Sequence, residues 1–263
     1  MKPLRAPLSE GADYDLPSGA ARLLTHLRAE RTRVHAITNA AAQVLTANLL
    51  LAAGGTPSLT TAPDEVAAFA ARAGALLVNL GTLDADRRAA IPEAIAAARA
   101  AGRPWVLDPV FVDASPPRLA FTRELLDQRP AILRCNEAEF AALAGEPARP
   151  DTVTAFARAH AALAVTGATD LVADGDRRIA IANGHPLMSR VTAMGCAGGA
   201  LAAAFAALEP DPFHAAVAAL LVVGVAGEIA GERAAGPGSF PAAFLDALHA
   251  LNEGTIVARA RLS

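Results

Sequence analysis

Two carboxylates, one guanidinium and a cysteine in a glycine-bearing turn have the most chemistry to offer in this chain. Asp108 closes the apolar run Trp105-Val106-Leu107, and Glu139 follows Arg134-Cys135-Asn136. Either carboxylate is costly to bury without a cation or a donor, and Mg²⁺ held partly through water is a suitable partner. Arg134 presents a planar fork that matches phosphate oxygens. Thr166 and Gly167 add a hydroxyl and backbone amides, and Asn79 ends another apolar run. In Val191-Thr192-Ala193-Met194-Gly195-Cys196 a tight turn runs into a long Ala-rich stretch of helical composition. The first amides of a helix lack internal partners and carry the positive end of its dipole, so those of Gly195 and Cys196 are expected to face an anion. The same field favours Cys196 as thiolate. Together these groups have the parts of a phosphoryl-transfer site. The plain alternative pairs Asp108 with Arg134 structurally, leaves Glu139 a solvated helix-start charge, and makes Cys196 a small packed residue. A nucleophilic Cys196 needs an imidazole, and His35 and His185 stand at no spacing that points to one.

The elements that must position these groups alternate between short aliphatic runs and helical segments. Val34 to Thr38 reads as a strand, with Asn39 capping a helix from Ala40 to Ala53 that stops at Gly54-Gly55. Leu76 to Leu80 is a second strand, and Ala85 to Ala101 a helix closed by Gly102. Strands follow at Trp105 to Asp108, Ala131 to Arg134 and Ala161 to Gly167, then a hairpin over Asp170 to Ala182 turning at Asp174-Gly175-Asp176. Ligands bind beyond the carboxyl ends of parallel strands, so Asn79, Asp108, Arg134 and Thr166 are expected to converge on one crevice.

Bulk properties narrow the partners. A hydrophobic share of 53% with only 4% aromatic residues means an aliphatic core and closely approaching helices. A net charge of −3 with interspersed signs offers no footprint for nucleic acid or an anionic membrane. The apolar run Ala215 to Gly227 is shorter than the roughly 20 residues a bilayer requires and reads as a buried helix. Cys135 and Cys196, as the only cysteines, fit a reducing compartment, and a cytoplasmic location is expected. Residues 1–17 have no apolar segment of the secretory kind and read as a flexible arm, with one domain over 18–263. Neither a Gly-x-x-x-x-Gly-Lys-Ser/Thr loop nor a strand-borne Gly-x-Gly-x-x-Gly is present.

A resemblance adds to this reading. Val34-His35-Ala36-Ile37-Thr38-Asn39, Thr46-Ala47-Asn48, Val78-Asn79-Leu80-Gly81-Thr82-Leu83, Val106-Leu107-Asp108-Pro109-Val110, Arg134-Cys135-Asn136-Glu137-Ala138-Glu139, Val165-Thr166-Gly167, Val191 to Cys196 and Gly236-Pro237-Gly238-Ser239-Phe240 follow the order and spacing of the hydroxyethylthiazole kinases. The resemblance implies a three-layer α-β-α, ribokinase-like α/β fold with a mostly parallel central sheet. It also implies ATP- and Mg²⁺-dependent phosphorylation of the primary alcohol of 4-methyl-5-(2-hydroxyethyl)thiazole, a salvage step towards thiamine, in a homotrimer with active sites between subunits. By motif, Asp108 and Glu139 resemble the acidic residues that organise Mg²⁺ and phosphate. Arg134, Thr166, Gly167 and Asn79 fall to the nucleotide side, Gly195 and Cys196 to the reacting end, and Leu59, Asn39 and the Ala193 amide to the thiazole side. Gly236 to Phe240 lies near the nucleotide end in the family. The chain departs from the family at Val44, where an Asn is common, and at Phe111-Val112-Asp113, where many members have Gly-x-Gly. It also has Cys135 for a Gly and Ala193-Met194 for a Gly-rich pair. These changes leave a kinase of another small hydroxymethyl compound, or a non-catalytic thiazole- or nucleotide-binding relative, as the alternatives.

Overall fold

The computed structural model describes residues 14–263. The expected N-terminal arm lies outside the described residues up to position 13, and its last members, Leu16 and Pro17, already open the first helix. Eight strands form one sheet: β1 (Arg33–Ile37), β2 (Thr56–Ser58), β3 (Ala75–Asn79), β4 (Trp105–Asp108), β5 (Ile132–Asn136), β6 (Ala162–Thr166), β7 (Asp170–Ala173) and β8 (Arg178–Ile181), in the order β2-β1-β3-β4-β5-β6-β7-β8. The pairs from β2 to β6 are parallel, and β7 and β8 add an antiparallel hairpin.

Helices cover both faces. On one lie α1 (Leu16–Glu30), α2 (Gln43–Ala53), α8 (Met194–Ala206), α9 (Pro212–Arg233), α10 (Phe240–Ala250) and α11 (Glu253–Arg259). On the other lie α3 (Val66–Arg72), α4 (Ala85–Ala100), α5 (Pro116–Leu126), α6 (Glu137–Ala144) and α7 (Pro150–Ala159). Side chains of a strand alternate between faces, so Ala75 and Leu77 of β3 enter the first core while Leu76 and Val78 enter the second. Both faces of β3 are buried over its whole length, and its sequence is apolar from Ala75 to Val78, as in parallel sheets generally, before it closes on Asn79.

Helix α9 is long enough to cross a bilayer, with a mean hydropathy of 1.9 over its most apolar 18 residues, but that window is 100% buried. It is the central helix of the first layer, contacting α1, α8 and α10. The expected helix over 40–53 begins later, at Gln43, because residues 40–42 form a turn, and its N-cap is Ala42 without a side-chain bond. Gly175 stands at φ 99 in the β7–β8 turn, where Asp174 Oδ1 accepts the amides of Asp176 and Arg177, as the hairpin reading expects.

Candidate active site

Chain order reverses at β1: the next strand pairs on one side of it and the one after on the other. Such a reversal opens a crevice between the two carboxyl ends, and there the polar residues meet. Asn39, just past β1, donates from Nδ2 to Asn79 Oδ1 at 3.2 Å and lies 3.1 Å from Cys196 Sγ. Asn79, at the end of β3, donates from Nδ2 to Asp108 Oδ2 at 2.8 Å. Asp108, paired in register with Asn79, faces Arg134 of β5, with Nη1 3.6 Å from Oδ2. A continuous relay thus runs Cys196–Asn39–Asn79–Asp108–Arg134 across four strand ends and one helix. Gly81 makes the near end possible: its amide donates to Asn79 Oδ1 at 3.0 Å, and a Cβ there would stand 2.5 Å from Asn39 Cβ.

Helix α8 enters this crevice end-on. Its first internal bond runs from the Ala197 amide to the Ala193 carbonyl, so the amides of Met194, Gly195 and Cys196 lie at the helix's open end. Arg134 packs over that end, and a Cβ on Gly195 would meet its guanidinium at 3.6 Å. Gly199, one turn on, keeps α8 close to the sheet: a Cβ there would lie 3.2 Å from Leu77 Cδ1 and 3.4 Å from Asp108 Oδ2. Ala193 caps the helix at φ 73 and ψ −1, the left-handed region that disfavours any side chain.

Burial pushes the Asp108 carboxyl up to about 6; Arg134 opposes the rise and Glu139 adds to it. The same physics corrects the expected Cys196 thiolate. Burial and the Asp108 charge raise its pKa, and the Asn39 and Asn79 side chains only partly offset them. Cys196 is therefore a neutral thiol. No imidazole touches it: His35 bonds Ser58 Oγ at 2.9 Å, and His185 accepts from the Leu187 amide. The nucleophile alternative thus lacks its base.

The other expected residues divide. Glu139 sits at the start of α6 in a capping box, its Oε2 accepting the Asn136 amide at 2.9 Å and its Oε1 the Phe111 amide at 3.0 Å. Thr166 is beside Arg134 in strand order but donates its hydroxyl to the Cys135 carbonyl at 3.3 Å. The Gly167 amide, expected to be available to an anion, donates instead to Asp170 Oδ1 at 3.0 Å. Asp170 is a carboxyl the sequence reading missed; burial lifts it to about 6 against the opposing Gly167 amide and Arg134. Leu59 lies past β2 and packs half-buried against the first core, and it takes no part in the polar relay. Asn39 was expected to cap a helix, yet the turn over 40–42 frees its side chain for the relay. Gly236 and Ser239 form the turn into α10, and Phe240 is buried against Phe244. Among the described residues no three His, Cys, Asp or Glu side chains stand close enough to hold a metal alone. Asp108 feels the charge of Glu139, and such a pair of carboxylates fits a hard cation bound through one or two carboxylates, phosphate oxygens and water.

The Hydroxyethylthiazole kinase family matches residues 24–254. The chain belongs to this family. It is 48% identical over 253 residues to the hydroxyethylthiazole kinase of Granulibacter bethesdensis, covering 91% of this chain and 92% of that protein. It is 47% identical over 247 residues to that of Klebsiella pneumoniae strain 342, covering 89% and 96%. Among solved structures, the hydroxyethylthiazole kinase protein of Pyrococcus horikoshii OT3 superposes with a TM-score of 0.88 at 37% identity, over 93% of this chain and 98% of that one. A ribokinase-like superfamily protein of Enterococcus faecalis V583 matches at a TM-score of 0.64 and 12% identity, which places the fold alone among ribokinase-like proteins. This hydroxyethylthiazole kinase family member holds Ala193 and Phe111 left-handed without glycine.

Proposed function

We propose that this chain transfers the γ-phosphoryl group of ATP to the primary alcohol of 4-methyl-5-(2-hydroxyethyl)thiazole, in the cytoplasm and as a salvage step towards thiamine. The observation that carries the reading is the buried Asp108–Arg134 pair set against the open end of α8, joined through Asn79 and Asn39 to Cys196. Phosphoryl transfer needs in-line positioning and neutralised charge more than covalent help. Arg134 and the amides of Gly195 and Cys196 act on the transferring group, where fixed donors in a water-poor site are most effective. Thr166 lies on the nucleotide side, with Gly167 shaping the turn through Asp170 rather than donating to phosphate.

Asp108 and Glu139 would hold Mg²⁺, which supplies further neutralisation of phosphate charge when bound. Cys196, held neutral, orients the acceptor hydroxyl together with Asn39; the general-base role, worth on the order of 10²–10⁴ at most, needs the thiolate that burial and Asp108 oppose. Leu59 and the Ala193 amide lie on the thiazole side of this reading.

The chain is further proposed to assemble as a homotrimer with sites between subunits. Val44 and Leu51 of α2, both exposed and seven residues apart on one helix face, are the apolar surface that supports this.

The test is an ATP assay on purified protein against a panel of small alcohols, reading both ADP and the phosphoester. The thiazole alcohol is expected to have the highest kcat/KM. Preference for another hydroxymethyl compound would assign a different kinase, and calorimetric binding without ADP release would make the chain a non-catalytic binder.

A further inference from the structure

Arg118, on the first turns of α5, makes contacts that neither the relay nor the family resemblance accounts for. Its Nη1 donates to the carbonyls of Leu80, of Gly81 at 3.2 Å and of Val110 at 2.6 Å. Two of these belong to the loop after β3 and one to the loop after β4, the two loops that follow directly on Asn79 and Asp108. On the Val110–Phe111 peptide a second charged group acts, because the Phe111 amide donates to Glu139 Oε1 at 3.0 Å. The C=O and N–H of a trans peptide point to opposite sides, so a guanidinium and a carboxylate grip one peptide plane from both of its edges. Phe111 follows at φ 61 and ψ 27, a conformation a bulky side chain rarely adopts, and the residue is 61% exposed and so little packed. An exposed ring cannot hold that backbone; the two charge-assisted bonds can.

We propose that Arg118 is a positioning residue, which with Glu139 clamps the Val110–Phe111 peptide and so fixes the loop after Asp108 in its left-handed turn. The loops of β3 and β4 are pinned to one guanidinium, and the register of Asn79 against Asp108 depends on them. Burial lowers the Arg118 pKa and the Glu139 carboxylate opposes it, so the two groups also balance each other's charge. Glu139 then has a task in the free enzyme as well as in the cation site proposed for it.

The kinetic half of the test rests on the kinase reading, and the other half does not. In Arg118→Gln, kcat is expected to fall at least tenfold with the KM for ATP changed less than threefold. Phe111→Gly in the same chain is expected to recover at least threefold of that loss, since glycine adopts φ near +60° freely. Amide hydrogen exchange over residues 110–113 is expected to quicken at least tenfold in Arg118→Gln without any substrate present. Unchanged exchange, or losses that multiply independently in the double variant, would overturn the clamp. Quickened exchange in a protein that phosphorylates no alcohol would sustain the clamp and refute the kinase reading. Should Arg118→Gln not fold, Arg118→Lys, which keeps the charge but not the fork, is judged by the same exchange and coupling criteria.

Discussion

Ala193 carries a side chain where the turn into α8 needs φ 73, at a cost of about 1 kcal/mol. The turn persists because the helix behind it is buried from Ala197 on, and its product is an open helix end beside Arg134. Ala193→Gly is expected to stabilise the fold by about 1 kcal/mol, or to raise the melting temperature by about 2–4 °C; a melting temperature that falls would show that the turn is not strained. Asp108 sets the pH response at the same scale. With its carboxyl raised to about 6, the ionised form that balances Arg134 is lost as pH falls through 6. Since kcat/KM reports groups of the free enzyme, it is expected to drop about tenfold per pH unit below that point, and Cys196→Ala is expected to keep this acid limb. A flat profile between pH 5 and 7 would contradict the assignment. Asp108, Arg134 and Cys196 were legible in the sequence because each ends a run or opens a helix. Asp170 and Arg118 were not: Asp170 opens what reads only as a hairpin, although the Gly167 amide it accepts from is three residues away, and Arg118 acts on carbonyls up to 38 residues from it, which no local pattern marks. The state of Cys196 was misjudged because helix-end position alone favours the thiolate, whereas burial beside Asp108 outweighs it.

Elements deliver these residues because each strand ends on a polar group at the same edge. Apolar runs closed by Asn79, Asp108 and Arg134-Cys135-Asn136 made β3, β4 and β5 readable, with errors of a residue or two at their ends. The short β2 and the helices α3 and α5 escaped notice: three residues carry no period, and tertiary packing rather than a pronounced apolar stripe sustains the helices. The Asn39 cap failed for a related reason. A turn over 40–42 delays α2, and the side chain that could have capped it bonds Asn79 and Cys196 instead. Close approach of the β1 and β3 loops depends on Gly81, where a Cβ would collide with Asn39 at 2.5 Å. Gly81→Ala is therefore expected to lower kcat at least tenfold while the protein still melts cooperatively. Unaltered kcat would remove the Asn39–Asn79 contact from the account.

At the scale of the molecule, strand order places the crevice at the β1–β3 reversal, and the two helical layers bury both faces of the sheet. The alternation of runs and helices foretold that architecture, whereas the order of strands is set by crossovers that the local sequence does not encode. The proposed trimer has three times the 26.7 kDa mass of the chain. Placing a carboxylate on the apolar face of α2 with Leu51→Asp is expected to shift light scattering towards the monomer mass and to lower activity with it; an unshifted trimer would clear that face of an interface role. Fixed charge and helix amides, rather than the thiol, are proposed to carry the phosphoryl transfer. The most direct test compares kcat for Asp108→Asn, an isosteric change, with kcat for Cys196→Ala in the thiazole alcohol assay, both proteins being verified as folded. The larger loss is expected for Asp108→Asn, with residual turnover for Cys196→Ala. Near-normal turnover in Asp108→Asn, or complete loss in Cys196→Ala, would contradict this proposal.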